Sequence, residues 1–226
     1  MDIGGVYRAN NVLVKAWQGT PGYRRQVTAA AEGGTIPAMV RSPYSEFVGH
    51  YKDEFARLRG VVGERTLNER EALVAGCGSS AEEAILLLDN FPRLSRIHMV
   101  DWIPQHIDRL IMILRTWSQN DKRRDYSKIF VHLADLTNLA GFGPGAIDLF
   151  YARELFENAD LRLTVNILRE MRRVAANRPV TAGDTEAEKA VWFLLDYEPP
   201  SGIENYMAGI GLQRDINQPD IWRLTV

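Results

Sequence analysis

The run Ala72-Leu73-Val74-Ala75-Gly76-Cys77-Gly78-Ser79-Ser80 is an apolar stretch entering a Gly-x-Gly turn, after which Ala81 opens a helical pattern with Glu82 and Glu83 in its first turn. Glycine lets the backbone turn tightly there and lets a ligand touch it, although a ligand-free strand-to-helix turn has the same pattern. A second apolar stretch, Ile97-His98-Met99-Val100, ends in Asp101 and Trp102. A carboxylate at the end of such a strand accepts hydrogen bonds from both ribose hydroxyls of an adenosine, or caps the following helix. Trp102 offers a flat apolar face to an adenine ring, or packs in the core. A third stretch ends in His132-Leu133-Ala134-Asp135-Leu136, where Asp135 can accept from an adenine amino group or serve as a loop aspartate. A fourth, Ala146-Ile147-Asp148-Leu149-Phe150-Tyr151, brings Ala152, Arg153 and Glu154 to the same rim.

These residues need a scaffold that presents successive strand ends along one edge. After Asn68 the chain alternates short apolar runs with helical patterns, which is the signature of βαβ units and a mostly parallel sheet. Seven strands are expected, at roughly 72–76, 96–101, 128–133, 146–151, 190–197, 211–216 and 221–226. Ala81, Ala84, Ile85 and Leu88 recur at helical spacing, as do Ile103, Ile107, Leu110, Ile111, Leu114 and Trp117; another helix is expected over 160–176. Ser201 and Glu204 have the spacing of a capping box at the start of a short helix. The last two strands are separated by Asn217-Gln218-Pro219-Asp220, too short for a parallel crossover, so they must pair antiparallel. Residues 1–66 differ in texture: glycine pairs at 4–5 and 33–34 and the Gly19-Thr20-Pro21-Gly22 turn break them into pieces with no evident strand ladder. Within them Ser42 and Pro43 open a helix over 44–60 whose stripe is Tyr44, Phe47, Val48, Tyr51, Phe55 and Leu58. The expected division is a helical N-terminal extension or lid over 1–66 and a Rossmann-like α/β domain over 67–226.

The stretch from 72 to 154 resembles class I S-adenosylmethionine-dependent methyltransferases, and the order of elements to 226 agrees with that family. The resemblance implies a Rossmann-like seven-stranded sheet closing in a C-terminal antiparallel hairpin, S-adenosyl-L-methionine as cofactor, and methyl transfer by in-line displacement. It makes Gly76, Cys77, Gly78, Ser79 and Ser80 the glycine loop, Asp101 with Trp102 the ribose and adenine side, Asp135 with Leu136 the adenine contact, and Asp148 to Glu154, including Ala152, the strand that ends at the methyl-transfer site. The chain departs from the pattern twice. Val74 stands where the family commonly has an acid that helps hold the cofactor's ammonium end, which leaves a shifted role for Glu71 or a degenerate site, and Ser80 stands where a third glycine is common.

Other features narrow the reading. A formal net charge of −2 gives no broad electrostatic reason to bind nucleic acid. The basic clusters Lys122-Arg123-Arg124 and Arg169, Arg172, Arg173 lie in or after expected helix ends, where cations complement the dipole. With Cys77 as the single cysteine there is no intrachain disulfide and no cysteine-based zinc site, and no apolar run is long enough to span a bilayer. The expectation is a cytoplasmic enzyme without a metal, acting on a small-molecule acceptor through an oxygen or nitrogen nucleophile, with a homo-oligomer possible. His50, Tyr51 and Glu154 are the candidate catalytic residues, should the helix over 44–60 close on the cleft and the acceptor need a base. His106 is placed near the cofactor or in solvent, and His98 and His132 are read as structural strand residues. Two other classes remain open: a non-catalytic protein on the same fold, and a nicotinamide-dependent oxidoreductase, whose pyrophosphate Glu82 and Glu83 would oppose at the helix N-terminus.

Overall fold

The computed structural model describes residues 2–8, 46–63, 66–153, 155–156, 159–175, 190–195 and 202–225, with side chains left out at 46–50 and 225. In chain order the elements are β1 (Gly5–Arg8), α1 (Glu46–Val62), β2 (Glu71–Ala75), α2 (Glu82–Asn90), β3 (Arg96–Asp101), α3 (Pro104–Asn120), β4 (Ile129–Leu133), β5 (Leu149–Tyr151), α4 (Leu161–Ala175), β6 (Ala190–Leu194), α5 (Ile203–Gly209), β7 (Leu212–Arg214) and β8 (Ile221–Thr225). The strands form one sheet in the order β1-β4-β3-β2-β5-β6-β8-β7. All pairs are parallel except β6 with β8 and β7 with β8.

The near-continuous apolar runs of β2, β3, β5 and β6 follow from burial on both faces, as parallel sheets require. Ala72, Val74, Ile97, Met99, Ile129, Val131, Leu149, Tyr151, Trp192 and Leu194 pack into one layer with α1, α2 and α3. The alternate residues Leu73, Ala75, Val100, Phe150, Val191 and Phe193 pack on the other face with α4 and α5. In α1 the stripe Phe55, Leu58 and Val62 is almost wholly buried, so this helix is part of the core layer. Phe55 stacks on Tyr151 with ring centroids 4.9 Å apart.

Among the described residues there are eight strands, one more than the seven read from the sequence, because Gly5–Arg8 pairs in parallel with β4 at the sheet edge. The Gly4-Gly5 pair that reads as chain punctuation is what allows this edge. A Cβ on Gly4 would lie 2.3 Å from the Ser127 carbonyl oxygen and 2.7 Å from the Phe130 ring, so only glycine brings the backbone close enough for its N–H to reach Ile129 O at 2.8 Å. The expected capping box is replaced: Gly202 occupies the cap of α5 without a side-chain cap bond, and Glu204 instead binds Arg214 at 2.7 Å. Ser201, Ser42, Pro43 and Tyr44 lie outside the described residues, as do the side chains of Phe47 and Val48. The basic clusters are structural where described: Arg124 binds Asp89 and Asp121, and Arg173 binds Glu170 and the carbonyls of Leu139 and Phe142. Among the described residues no helix is long and apolar enough to cross a membrane.

Because α1 anchors the layer through Phe55, Phe55→Ala is expected to lower unfolding free energy by about 3–5 kcal/mol, the usual cost of emptying a buried phenylalanine site. Urea unfolding checks this, and a loss below 1 kcal/mol would show that α1 is not part of the cooperative core.

Candidate active site

The carboxyl ends of β2, β3, β4 and β5 converge on one edge, and the first turn there is built by conformation as much as by composition. Gly76 and Gly78 have φ of +69° and +58°, in the left-handed region that favours glycine. A Cβ on Gly76 would lie 2.9 Å from a Leu155 methyl carbon, whereas one on Gly78 would meet nothing within 4 Å. Gly76 is thus required by its left-handed backbone more than by packing, since the Leu155 methyl ends a flexible side chain, and Gly78 borders open space. The Val100 carbonyl accepts from both Gly76 N (2.8 Å) and Cys77 N (3.1 Å), clamping the turn to β3. Cys77 is buried; burial, followed by the Asp101 and Glu83 carboxylates, pushes its thiol well above the usual range, so it is a packing residue and not a nucleophile. Ser80 Oγ accepts from Glu82 N at 3.3 Å and donates to the Glu82 carboxylate at 3.0 Å, so a serine at this place helps cap α2.

Asp101 is the knot of this edge. It is 3% exposed, with Oδ2 accepting from Gly78 N and Oδ1 from Ile103 N, each at 2.8 Å. Its own carbonyl accepts from Ala134 N at 2.9 Å, which joins the ends of β3 and β4. His106 lies on the first turn of α3 with Nδ1 3.6 Å from Asp101 Oδ2, and that nitrogen is buried without a hydrogen bond among the described residues. Asp135 is likewise buried; its Oδ1 accepts from both the amide and the hydroxyl of Thr137 at 2.7 Å, forming a local turn. Trp102, Leu136 and Ala152 are core side chains at 4%, 0% and 0% exposure. The Ala152 amide is already spent on Leu194 O at 2.9 Å.

Two further carboxylates, Glu71 and Asp148, stand at the opposite edge of the sheet, Asp148 at the start of the strand run that leads to Glu154. Glu71 is the first residue of β2 and is bonded to His98 at 2.9 Å, so it stands at the amino end of the strand whose carboxyl end carries the glycine turn. Asp148 precedes β5 and accepts from Glu71 N at 3.2 Å, again at the amino edge.

A polar cluster does lie where β5 ends. Glu54 of α1 is 6% exposed and pairs with Arg153 at 2.8 Å. Burial raises its carboxyl above the ordinary range, opposed by the Arg153 charge and by Tyr151. The Tyr151 hydroxyl, next to Glu54, is fully buried without a hydrogen bond of proper geometry, and burial with the Glu83 and Glu54 carboxylates pushes its ionisation far up. Glu54 Oε1, Arg153 Nη1 and Asp220 Oδ1 are also buried without partners among the described residues. Arg57, one turn along α1, binds Asp220 at 3.4 Å and Gln218 at 2.9 Å. Unsatisfied buried polar atoms are costly, and several in one place call for a polar ligand or bound water. Glu54 and Asp220 escaped the sequence reading. The available signal was the position of Glu54 between Tyr51 and Phe55 on an otherwise apolar helix stripe.

Of the catalytic candidates, Tyr51 is partly buried against the α1–α2–α3 layer, one turn before Glu54. Glu154 and the side chain of His50 lie outside the described residues. Among the described residues no group of three or more histidine, cysteine or acidic side chains is arranged to hold a metal ion. Because Asp101 serves two buried amides, Asp101→Ala is expected to lower stability by about 1.5–3 kcal/mol even without ligand, and Ser80→Ala by less than about 1 kcal/mol. Equal urea midpoints for Asp101→Ala and the parent would remove Asp101 from this structural role.

No family model matches the sequence, and no curated protein is similar to it in sequence. Solved structures are similar. A SAM-dependent methyltransferase from Aquifex aeolicus shares 11% identity at a TM-score of 0.53 over 82% of this chain and 99% of that one. Geranyl diphosphate C-methyltransferase from Streptomyces coelicolor, in complex with Mg2+, geranyl diphosphate and S-adenosyl-L-homocysteine, shares 13% at 0.51, over 85% and 73%. Phosphoethanolamine N-methyltransferase from Haemonchus contortus, in complex with phosphoethanolamine and S-adenosylhomocysteine, shares 13% at 0.50, over 86% of this chain. The chain spans only 34% of the length of this last relative and about half, 54%, of another methyltransferase neighbour. At such identities the likeness is one of architecture, and it accords with the mostly parallel sheet and its terminal antiparallel hairpin: this chain has the fold of the class I S-adenosylmethionine-dependent methyltransferases.

Proposed function

We propose that this protein is a methyltransferase that binds S-adenosyl-L-methionine at the carboxyl edge of β2, β3 and β4 and moves its methyl group to a small-molecule acceptor held against the end of β5. The observation that carries the reading is the joining of a glycine turn bordering open space to a buried carboxylate at the neighbouring strand end, with a cluster of polar atoms that have no partner among the described residues beside it. The residues present fit the cofactor. Gly78 leaves room for a ligand at the turn, and each oxygen of Asp101 retains a lone pair for a ribose hydroxyl after bonding its amide. Asp135 Oδ2 and the 135–137 turn supply polar groups for an adenine edge. Trp102, Leu136 and Ala152 contribute the apolar floor and backbone of this site, Cys77 and Ser79 its turn, and Ser80 the cap of the following helix.

The cofactor supplies an electrophilic methyl group on a sulfonium; the protein's task is to align an acceptor with it and exclude water. Arg153, held by Glu54, is placed to orient a polar acceptor, and Tyr151 stays protonated as a hydrogen-bond donor. Glu54, with a carboxyl raised by burial, is the group best placed to take a proton from an oxygen or nitrogen nucleophile. His50, Tyr51 and Glu154 remain part of the proposed acceptor region, with Glu54 added to them. A nicotinamide cofactor finds less support, because its pyrophosphate would face Glu82 and Glu83, whose carboxylates lie within 3.4 Å of the Ser80 hydroxyl at the turn.

Calorimetry with S-adenosylhomocysteine tests the binding half: the parent is expected to bind in the micromolar range, and Asp101→Asn about tenfold or more weaker. No heat at millimolar ligand would overturn it. For the catalytic half, S-adenosylhomocysteine release is followed across a panel of small hydroxyl and amine acceptors. With the accepted one, Glu54→Gln is expected to lower the rate by about 10²-fold or more. Because burial raises the Glu54 carboxyl, activity should fall as pH drops through a value above the ordinary carboxylate range, and this acidic limb should vanish in Glu54→Gln. Tight cofactor binding with no acceptor turned over would favour the non-catalytic reading.

A further inference from the structure

A second cavity, of about 460 Å³, lies away from the glycine turn on the face of β1, β4 and β3. The crossovers β2–β3, β3–β4 and β5–β6 each contain a helix, whereas residues 134–148 between β4 and β5 form turns only. That loop bends back over the sheet, with Glu170 accepting from Leu139 N at 2.6 Å and Arg173 donating to the carbonyls of Leu139 and Phe142 at 3.0 Å. It leaves a roofed space instead of a packed helix, with Gly141, Gly143 and Phe142 at its rim.

The floor of this cavity is unlike a structural strand surface. Glu71 Oε2 lies 2.9 Å from His98 Nε2, and His98 Nδ1 lies 2.9 Å from His132 Nε2, so three residues on three adjacent strands form one hydrogen-bonded chain. The bond to His98 holds the Glu71 carboxyl below its ordinary range, so at neutral pH it accepts and His98 Nε2 donates. His98 Nδ1 and His132 Nε2 share one hydrogen between them, and the outer nitrogen of His132, with no bond to a described residue, accepts where Nε2 donates and donates where Nε2 accepts. Burial, with His98 beside it, lowers His132 to about 3, so that ring stays neutral under physiological conditions. The walls are aromatic: Tyr7 stacks on His132 at 4.8 Å, Phe142 packs edge-on to His98 at 5.0 Å, and the Arg96 guanidinium lies over the Phe130 ring at 5.5 Å.

We propose that this cavity is a second small-molecule site, separate from the methyl-transfer cleft, which takes a planar aromatic ligand bearing a hydroxyl group that hydrogen-bonds to the outer nitrogen of His132. The aromatic walls match a ring, the volume lies in the range of ligand pockets, and a hydroxyl satisfies His132 whichever tautomer the chain imposes. Glu71 acts at a distance of one ring, through its bond to His98. Its place at the amino end of β2, useless to the cofactor, is what this site requires.

Phenol, with toluene as the partner lacking the hydroxyl, probes the site through the imidazole NMR signals of His98 and His132 in the full chain. Phenol is expected to shift both signals and to bind at least about fivefold more tightly than toluene, the factor of one modest hydrogen bond. Gly143→Phe, at a position where a Cβ meets nothing within 4 Å, should block both probes while leaving the unfolding transition in place. Titration is repeated with S-adenosylhomocysteine present, and phenol binding should persist. Equal affinity for phenol and toluene, undiminished binding to Gly143→Phe, or displacement of phenol by S-adenosylhomocysteine would each overturn the proposal. Failure of S-adenosylhomocysteine to bind touches the methyltransferase reading alone, since the phenol titration is read on the protein by itself.

Discussion

The Asp101 carboxylate carries two backbone amides that would otherwise end in a buried region with no acceptor. One belongs to the glycine turn after β2 and the other to the start of α3, so a single side chain sets the distance between the first two strand ends. A charged acceptor in so buried a place makes these bonds stronger than neutral ones and their loss more damaging. The positive φ of Gly78 is held by this contact, and the open space beside the turn exists because the backbone is held there without a side chain to fill it. The backbone at this edge is therefore fixed by the protein's own bonds.

The edge is also where burial and polarity conflict. Parallel strands in mid-sheet must be apolar on both faces, yet β5 ends in Tyr151 with Arg153 just beyond it, and α1 turns Glu54 toward them from the core layer. A designer of stability would remove these groups, since buried ions are expensive unless fully paired. Glu54 and Arg153 are paired only on one side each, and the remaining atoms have no described partner. Such incomplete satisfaction is not what packing alone would select.

The opposite end of the sheet shows a polar network of another kind. Glu71, His98 and His132 are spaced two residues from facing positions on neighbouring strands, so parallel register brings them together on one face. The missing crossover helix leaves room above them. Two histidines that look like filler along the chain become one hydrogen-bonded unit once the strands are paired, and a carboxylate that reads as a displaced cofactor ligand becomes its anchor.

Much of the fold was legible along the chain because the signals were local. The β2–Gly76–α2 run, the strand ending in Asp101, the α3 stripe and the short link before Ile221 each follow from periodicity, turn chemistry or connection length, which nearest neighbours decide. The edge strand Gly5–Arg8 was not legible, since four largely exposed residues beginning at a glycine carry no alternation, and only the close approach to β4 explains them. The place of Asp101 at a strand end was legible because strand ends in such sheets share an edge, but its bonds to Gly78 and Ile103 needed coordinates. Glu54, Asp220 and the Glu71–His98–His132 chain lay beyond reach for the same reason: their meaning comes from partners 27 to 166 positions away, brought together by helix packing and strand register. Local residue types determined the elements and the edge of the sheet at which the glycine turn and Asp101 stand; long-range packing alone decided which polar groups meet there and which have no partner among the described residues.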